Sequence, residues 1–394
     1  NVSVNGEAPL SLTLDGKDHQ SCQFLSKRAP DESHDFTWKE VTTTRGGELA
    51  EMLGDQLRSI DSLVVKGNVN DKDFHAMWDA SLYGYLSVIN LKNAVLENNA
   101  VPDTAFFHEN EQYEGSSHEI FYYIGLRKII LPEGLEKIGE GAFYQASALR
   151  QVNFPSTLRY IGDFAFNATK LEMNQLVIPE GVEEINQYAF AFCRKLKAQV
   201  TLPSTIKKIG EWAFYGCPIT SINLPEGLES LGSLAFWDCD LREVSIPSSC
   251  HEFNEGWQFG FNRNLEKMHL PEGMTEIPDH FAVDCFRLRE VNFPHTLKHI
   301  GEKAFSLCIS LKNVELPLGM QSLGEEAFSE LEALEQIVFP ASMKSFLSDM
   351  PVYKIRSTTD LLYNLSGEFF LPQELLPVLN RLPADRRNLF RYKV

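Results

Sequence analysis

A proline that returns every 22–24 residues constrains the fold of this chain more than any other feature. The ten prolines are Pro132, Pro155, Pro179, Pro203, Pro225, Pro247, Pro271, Pro294, Pro317 and Pro340. Self-similarity at such a period is typical of proteins in which each repeat is one structural unit stacked on the next. The sequence therefore predicts a right-handed solenoid of about 10 regular repeats, with residues at matching positions neighbouring each other.

Each repeat carries the same pattern around its proline, and the clearest copy runs from Leu126 to Phe143. Apolar residues one and three positions before the proline, such as Leu131 and Ile129, predict a short strand with one buried face. The proline ends that strand because it has no N–H to donate. Seven residues after the proline stands Gly, or Asn in two repeats, which predicts a left-handed turn because both residues tolerate positive φ.

A phenylalanine preceded by alanine stands eleven residues after most of the prolines. These phenylalanines are Phe143, Phe166, Phe190, Phe214, Phe236, Phe305 and Phe328. A large side chain at a fixed register predicts a column of rings that fills the solenoid interior. Two repeats depart from the pattern: one has Trp257 and Phe259 around this position, and the next has Pro278 at the glycine position and Phe281 one place early. We expect a bulge there, which is either functional or the result of sequence drift.

Five of the seven cysteines stand fourteen residues after a proline: Cys193, Cys217, Cys239, Cys285 and Cys308. A small, weakly polar side chain at this position predicts buried free thiols. Disulfides between stacked repeats are the alternative, but the number of cysteines is odd and the column is interrupted. The sequence has no CxxC or HExxH motif, so no metal site and no cofactor are predicted.

The net charge of −18 argues against a nucleic-acid partner, which needs a basic face. No run approaches the roughly 18 consecutive apolar residues of a membrane span, so no transmembrane segment is predicted. We also find no GxSxG motif, no glycine-rich phosphate loop and no Cys–His signature. No catalytic residue is therefore predicted, and an enzyme is not expected.

Two sets of residues are candidates for binding a partner. The first lies two and four positions before the prolines, where the strands should face water: Gln151, Asn153, Gln175, Gln199 and Asn223. Their amides could bind a sugar or an extended peptide; alternatively, amide ladders stabilise the stacked strands themselves.

The second set, nine and twelve positions after the prolines, is aromatic: Phe164, Tyr188, Trp212, Tyr215 and Trp237. Exposed, they would form a patch of the kind enriched at binding hot spots; alternatively, they pack half-buried over the phenylalanine column.

The consensus LxxIxLPxxLxxIGxxAFxxC, carried by residues 126–343, resembles the BspA-like leucine-rich repeat of Bacteroidetes and treponemal surface proteins. The resemblance implies a leucine-rich-repeat solenoid with short β-strands and irregular or short-helical convex segments. It implies secretion or attachment to the cell surface, for example as an outer-membrane lipoprotein with its lipid on a cysteine upstream of residue 1. It also implies adhesion or partner binding without catalysis.

The resemblance extends to both ends of the repeats and gives a domain division. We expect a leader or small β element at 1–37, an N-terminal cap with irregular repeats at 38–125, regular repeats at 126–350 and a C-terminal cap at 351–394. The N-terminal part would hold a capping helix over 48–57 and strands over 63–65 and 86–91. Asp103, Thr104 and Ala105 fit a short acceptor pattern for O-linked sugars in Bacteroidetes relatives, with an unmodified turn as the alternative.

Together these observations predict a non-catalytic, monomeric binding or adhesion protein, either secreted or on the cell surface. Its partner would be a host or bacterial surface protein, or a glycan, recognised along the side of the solenoid. The alternative is a structural spacer of the cell envelope with no ligand of its own.

Overall fold

The computed structural model describes residues 35–107, 124–343, 368–371 and 390–392. Most of the predicted leader, 1–37, and most of the predicted C-terminal cap, 351–394, lie outside these residues. The chain forms two compact units. The first runs to Met173 and takes in Pro179–Gly181 and Phe192–Lys195; the second holds Asn174–Ile178, Val182–Ala191 and the residues from Leu196 onward.

The first unit begins with elements longer than those of the regular repeats. In order they are β1 (Trp38–Thr43), α1 (Leu49–Leu53), a 3₁₀ helix (Gly54–Arg58), β2 (Ser62–Val69), α2 (Asp71–Tyr83), β3 (Val88–Leu96), a second 3₁₀ helix (Glu97–Asn99) and β4 (Ala100–Val101). The predicted strand at 63–65 is thus part of β2, whereas the predicted strand at 86–91 is part of β3 only from Val88 onward. The predicted capping helix changes from α to 3₁₀ geometry at Gly54, whose φ is +50°.

Helix α2 was not predicted from the sequence. It begins at a capping box, in which the Asn70 side chain accepts from the Lys72 amide (3.1 Å) and the Asp73 carboxylate accepts from the Asn70 amide (3.0 Å). The buried Asp73 carboxylate also accepts from the amides of Gly47 (2.7 Å) and Leu49 (2.9 Å). One carboxylate therefore fixes the start of α2 against the start of α1.

The regular repeats each place one strand before the proline. These strands are β5 (Lys128–Ile130), β7 (Gln151–Val152), β9 (Gln175–Val177), β11 (Gln199–Thr201), β13 (Ser221–Asn223), β15 (Glu243–Ser245), β17 (Lys267–His269), β19 (Glu290–Asn292), β21 (Asn313–Glu315) and β23 (Gln336–Val338). A two-residue strand follows most prolines: β6 (Lys137–Ile138), β8 (Tyr160–Ile161), β10 (Glu184–Ile185), β12 (Lys208–Ile209), β14 (Ser230–Leu231), β16 (Glu252–Phe253), β18 (Glu276–Ile277), β20 (His299–Ile300) and β22 (Ser322–Leu323).

Matching strands of successive repeats pair in parallel. In the first unit the strand orders are β1-β2-β3-β5-β7 and β4-β6-β8. In the second they are β9-β11-β13, β15-β17-β19 and β21-β23 before the prolines, and β10-β12-β14-β16 and β18-β20-β22 after them. The register brings identical repeat positions together, as in Gln175 opposite Gln199 and Val177 opposite Thr201. The predicted leucine-rich-repeat solenoid is confirmed, with about 12 turns and little helix.

Two further strands, β24 (Glu368–Leu371) and β25 (Phe390–Tyr392), continue the last sheet in parallel from β23. The family resemblance led us to expect a C-terminal cap over 351–394. Two strands of that range are described, and its other residues lie outside the described part of the chain. Because β24 pairs with β23, it satisfies a strand edge that would otherwise be open.

The predicted phenylalanine column is confirmed. Phe143 and Phe166 stack in the first unit with ring centroids 5.2 Å apart, and Phe190, Phe214 and Phe236 stack in the second at 5.3 and 5.6 Å. All five side chains are fully buried. At the irregular repeats Phe259 continues the stack on Phe236, whereas the next ring, of Phe281, meets Phe259 edge-on at 78°.

The prediction of a left-handed turn seven residues after the proline was wrong. None of the glycines at this position, such as Gly162 and Gly232, has a positive φ. Glycine stands there because the preceding repeat lies too close for a side chain: a Cβ on Gly232 would lie 2.4 Å from the amide nitrogen of Glu211. Positive φ occurs instead nine and thirteen residues after most prolines, at residues of many types.

The cysteine column is confirmed as buried free thiols among the described residues. The structure adds a function for the position that the sequence did not show. The Cys217 thiol donates to the carbonyl of Phe190 in the preceding repeat (2.8 Å), and the Cys239 thiol donates to that of Phe214 (3.3 Å). Where Asn262 replaces cysteine, its side-chain amide donates to the Phe236 carbonyl (2.7 Å). In these repeats the position thus holds a small donor that satisfies a buried carbonyl, whereas Ala146 and Leu331 fill it without a side-chain donor.

Candidate binding surfaces

The strand face of the second unit carries an uncharged polar surface. Gln175, Gln199 and Ser221 lie side by side on β9, β11 and β13, and Thr201 lies beside Asn223. All five side chains are exposed, because only the middle residue of each three-residue strand points into the core. In the first unit Gln151 is likewise exposed, on β7. The predicted exposure of Gln151, Gln175, Gln199 and Asn223 is therefore found, and their binding role stays a prediction.

Asn153 has a structural function that the sequence left open. Its Oδ1 accepts from the Leu131 amide (2.7 Å) while its Nδ2 donates to the Leu131 carbonyl (3.0 Å). Asn292 makes the same pair of bonds with Leu270. Each of these side chains pairs with the N–H and C=O groups of a residue in the preceding repeat, as the backbone of a neighbouring strand would. The Asn153 amide is therefore already used within the fold.

We expect Asn153→Ala to lower the free energy of unfolding by about 1–2 kcal/mol, because the Leu131 amide and carbonyl lose their partners. Urea denaturation would measure the change. Asn223→Ala is the matched control, since Asn223 occupies the same repeat position and forms no such pair with the preceding strand; its effect should be within about 0.5 kcal/mol of zero. Equal losses for the two variants would contradict the assigned function.

Aromatic side chains cluster on the turns that follow the alanine–phenylalanine pairs. In the second unit Tyr188 stacks on Trp212 (5.2 Å, 15°), and Trp212 contacts Tyr215 (4.3 Å). Trp237 contacts Trp257 (5.2 Å) and Phe261 (4.4 Å), and Trp257 stacks on His280 (3.7 Å, 8°). We call these seven residues the aromatic surface. Phe164 belongs to the first unit, where it meets Tyr144 edge-on at 5.9 Å.

Every side chain of the aromatic surface is half-buried. Of the two alternatives left open by the sequence, the half-buried one is thus found, and part of each ring reaches solvent. Sequence reasoning missed Trp257, Phe261 and His280. One extra residue precedes Phe259 in its repeat, which shifts Trp257 and Phe261 by one position from the matching residues of other repeats.

The backbone supports these rings in an uncommon conformation. Tyr188, Trp212, Trp257 and His280 all have φ between 55° and 65°, and so does Phe164 in the first unit. Positive φ is unfavourable for bulky residues. In other repeats the corresponding turn position holds Gly141, Leu234, Lys303 or Glu326, also with positive φ, so the turn itself does not require an aromatic residue.

Gly260 provides the space for the Trp237 indole. A Cβ at Gly260 would lie 2.2 Å from the ring of Trp237, so the indole lies directly over the glycine backbone. Tyr215 and Trp237 occupy the matching position of the two preceding repeats. The change from a large ring to no side chain at this position lets Trp237 reach Phe261 in the next repeat.

The aromatic surface is uncharged at neutral pH. Burial, with smaller contributions from Glu211 and Tyr215, raises the pKa of Tyr188. Burial also lowers the pKa of His280, whose Nδ1 is buried without a hydrogen-bond partner among the described residues. The surface therefore combines apolar rings with neutral polar groups, which is the composition of interface centres.

The first unit contains an open cleft of about 840 Å³ between α1, α2 and the turn at 102–105. Charged side chains line it, including Arg58 and Asp79, which form an ion pair at 2.8 Å. The sequence predicted no cleft of this kind, because helix α2, which forms one wall, was missed. Among the described residues no group of three or more His, Cys, Asp or Glu side chains could hold a metal ion.

Asp103, Thr104 and Ala105 lie in the turn beside this cleft. The Asp103 carboxylate accepts from the Glu140 amide (2.9 Å) and lies 3.2 Å from the Lys137 ammonium group, so it joins two repeats. Thr104 is exposed and has a φ of 52°. Glycosylation at Thr104 stays a prediction.

Comparisons with known proteins identify the repeats. The family model described as "BspA type Leucine rich repeat region" matches 6 copies over residues 116–200, 183–306 and 280–350. In the described part of the chain, no helix has the length and apolar character needed to cross a membrane. A search of curated proteins gave no match.

A comparison with solved structures matched several leucine-rich repeat proteins. A leucine-rich repeat protein from Bacteroides ovatus is 21% identical, with a TM-score of 0.47, over 78% of this chain and 84% of its own. A leucine rich cell surface protein from Faecalibacterium prausnitzii is 17% identical, with a TM-score of 0.38, over 94% and 98%. The T. pallidum leucine rich repeat protein is 28% identical, with a TM-score of 0.38, over 49% and 85%. Because the family model covers more than half of the sequence, this chain belongs to the BspA-type leucine-rich repeat family.

Proposed function

We propose that this chain is a non-catalytic binding protein exposed outside the cell, and that its aromatic surface binds a protein partner. The observation that carries the proposal is the set of half-buried rings at positive φ. Their backbone conformation is unfavourable for large side chains, and other repeats fill the same turn with Gly141, Lys303 or Glu326. Folding alone therefore does not explain the rings, whereas Tyr and Trp are the residues most enriched in binding hot spots.

The ring contacts favour a protein over a glycan as the partner. A sugar packs its C–H groups against an open ring face, where the negative part of the aromatic quadrupole lies. Here Tyr188 stacks on Trp212 and Trp257 stacks on His280, so each of these rings has one face covered by its neighbour. Fewer open ring faces are left for a sugar, whereas half-buried rings with polar groups suit a protein surface with apolar side chains and hydrogen-bond acceptors.

Exposure outside the cell is supported by membership of the BspA-type family, whose proteins are typically found on the surface. Protease treatment of intact source cells, followed by immunoblotting, tests it. Loss of the intact band before any loss of a cytoplasmic marker is the expected result. Full protection until the cells are lysed would contradict it.

We expect Tyr188→Ala/Trp212→Ala to weaken binding to a protein partner at least tenfold, because each ring contributes buried contact area at the interface centre. Purified wild-type protein would be screened against an array of extracellular proteins and an array of glycans. Dissociation constants for each hit would then be measured with both proteins. Circular dichroism would verify that the variant is folded.

Lys303→Ala/Glu326→Ala is the matched control, since both residues occupy the same turn position with positive φ. Its affinity should stay within twofold of wild type. Gln175→Ala/Gln199→Ala tests the polar strand face separately, and a loss confined to this variant would move the site there. Unchanged affinity in the aromatic variant, or hits on the glycan array alone, would refute the proposed partner. An absence of hits on both arrays would favour the spacer alternative.

A further inference from the structure

The row of short strands in the second unit is interrupted once within the described residues. One sheet ends at β16 and the next begins at β18, so these two strands do not pair. In the same two repeats, the strands before the prolines, β15 and β17, pair in full register. The repeats therefore stay joined on one side and separate on the other.

Backbone hydrogen bonds show what is missing at the interruption. Before it, the Glu229 amide donates to the Lys207 carbonyl (2.8 Å) and the Gly232 amide to that of Ile209 (2.8 Å). After it, the Lys298 and Gly301 amides donate in the same way to the carbonyls of Thr275 (2.9 Å) and Ile277 (2.8 Å). Both bonds recur at regular junctions because each repeat presents the same two amides.

At the interruption neither of these two backbone hydrogen bonds forms. The Thr275 amide has no hydrogen-bond partner among the described residues, and Pro278, which replaces the usual glycine, has no N–H to donate. Across from them, the carbonyls of His251 and Phe253 accept no hydrogen bond from the Pro271 repeat. Farther along the chain the two repeats are joined again, first where the Trp257 amide donates to the Asp279 carbonyl (3.1 Å) and then where the Phe259 amide donates to the Phe281 carbonyl (2.9 Å).

A cleft of about 460 Å³ occupies this separation. Its volume falls in the range of ligand sites, about 300–1,000 Å³. Cys250 and Met274 form buried parts of the lining, and burial raises the pKa of the Cys250 thiol to about 12, so the thiol stays neutral. The exposed carboxylates of Glu255, Glu276 and Asp279 also line the cleft. None of the described lining residues is Lys or Arg, so the rim is acidic.

We propose that this cleft binds an extended, basic peptide segment, which adds as a strand between β16 and β18. A strand presents N–H and C=O groups on both of its edges. It can donate to the carbonyls of His251 and Phe253 on one wall and accept from the Thr275 amide on the other, as in recognition by strand addition. Lys or Arg side chains of the segment would meet Glu255 and Glu276. No residue of the aromatic surface is part of the proposed contacts. A negative result at the aromatic surface would therefore not contradict the proposal for this cleft.

The probe is a fluorescein-labelled hexapeptide of alternating valine and lysine, titrated with the purified full chain and followed by fluorescence anisotropy. We expect saturable binding, and at least tenfold weaker binding of the same peptide with N-methylated valines, which cannot donate backbone hydrogen bonds. A peptide with glutamate in place of lysine should not bind. Hydrogen exchange should show new protection of the Thr275 amide in the complex.

Protein variants separate this cleft from general attraction to an acidic protein. Glu255→Gln/Glu276→Gln should weaken binding at least fivefold at low salt. Glu140→Gln/Glu229→Gln removes the same charge from exposed residues outside the cleft and should leave binding within twofold of wild type. No saturable binding, equal binding of the N-methylated peptide, or equal loss in the two variants would each overturn the proposal.

Discussion

Replacing Phe214 by Ala is expected to lower the free energy of unfolding by about 3–5 kcal/mol, the range for buried phenylalanine. The Phe214 ring is fully buried and stacks on Phe190 at 5.3 Å and on Phe236 at 5.6 Å. Its removal leaves a cavity, which the close-packed repeats on either side cannot move far enough to fill. Urea denaturation, followed by circular dichroism and by tryptophan fluorescence, would measure the loss.

Phe36→Ala is the matched control for this experiment, since the Phe36 side chain is 69% exposed. Its effect should be within about 0.5 kcal/mol of zero. A loss below about 1 kcal/mol for Phe214→Ala would mean that the column does not hold the repeats together.

Gly232→Ala is expected to destabilise the protein by about 3 kcal/mol, as overpacking against backbone does. The added Cβ would lie 2.4 Å from the Glu211 nitrogen and 2.5 Å from the Gly210 carbonyl carbon, and backbone atoms cannot rotate away. Thermal and urea denaturation of the purified variant would measure the effect.

Gly134→Ala separates close packing from backbone conformation. Gly134 has a φ of +94° and open space where its Cβ would stand, so alanine there should cost only about 1 kcal/mol of conformational strain. Gly232→Asn adds a second test, because a left-handed turn would accept asparagine, whereas a close approach would not. A well-tolerated Gly232→Asn would restore the turn explanation and contradict the packing one.

Asparagine does occupy the glycine position at Asn254, and the structure shows the local adjustment. The hydrogen bonds that join this repeat to the preceding one, His251 to Glu229 and Asn254 to Leu231, measure 3.1 and 3.2 Å. The corresponding bonds of Glu229 and Gly232 measure 2.8 Å each. The repeats are thus slightly farther apart where a side chain must fit, and the open cleft between β16 and β18 begins at the next junction.

The sequence predicted where rings and thiols stack, but it could not assign functions to single polar residues. Asn153 and Gln151 look equivalent as members of one polar strand face. The tertiary structure distinguishes them, because the Asn153 amide is hydrogen-bonded to the backbone of Leu131. Helix α2 was missed for a similar reason: it belongs to no repeat, and it is held by the Asp73 carboxylate across 24–26 residues of chain.

The sequence by itself determined the period, the strand positions and the phenylalanine and cysteine columns, because stacking makes identical repeat positions neighbours, and neighbours of the same type are visible as a pattern. Tertiary structure alone decided the close approach at Gly232, the left-handed turns under Tyr188 and Trp212, and the cleft between β16 and β18. These features depend on distances between repeats, which can change without any change in the repeat period.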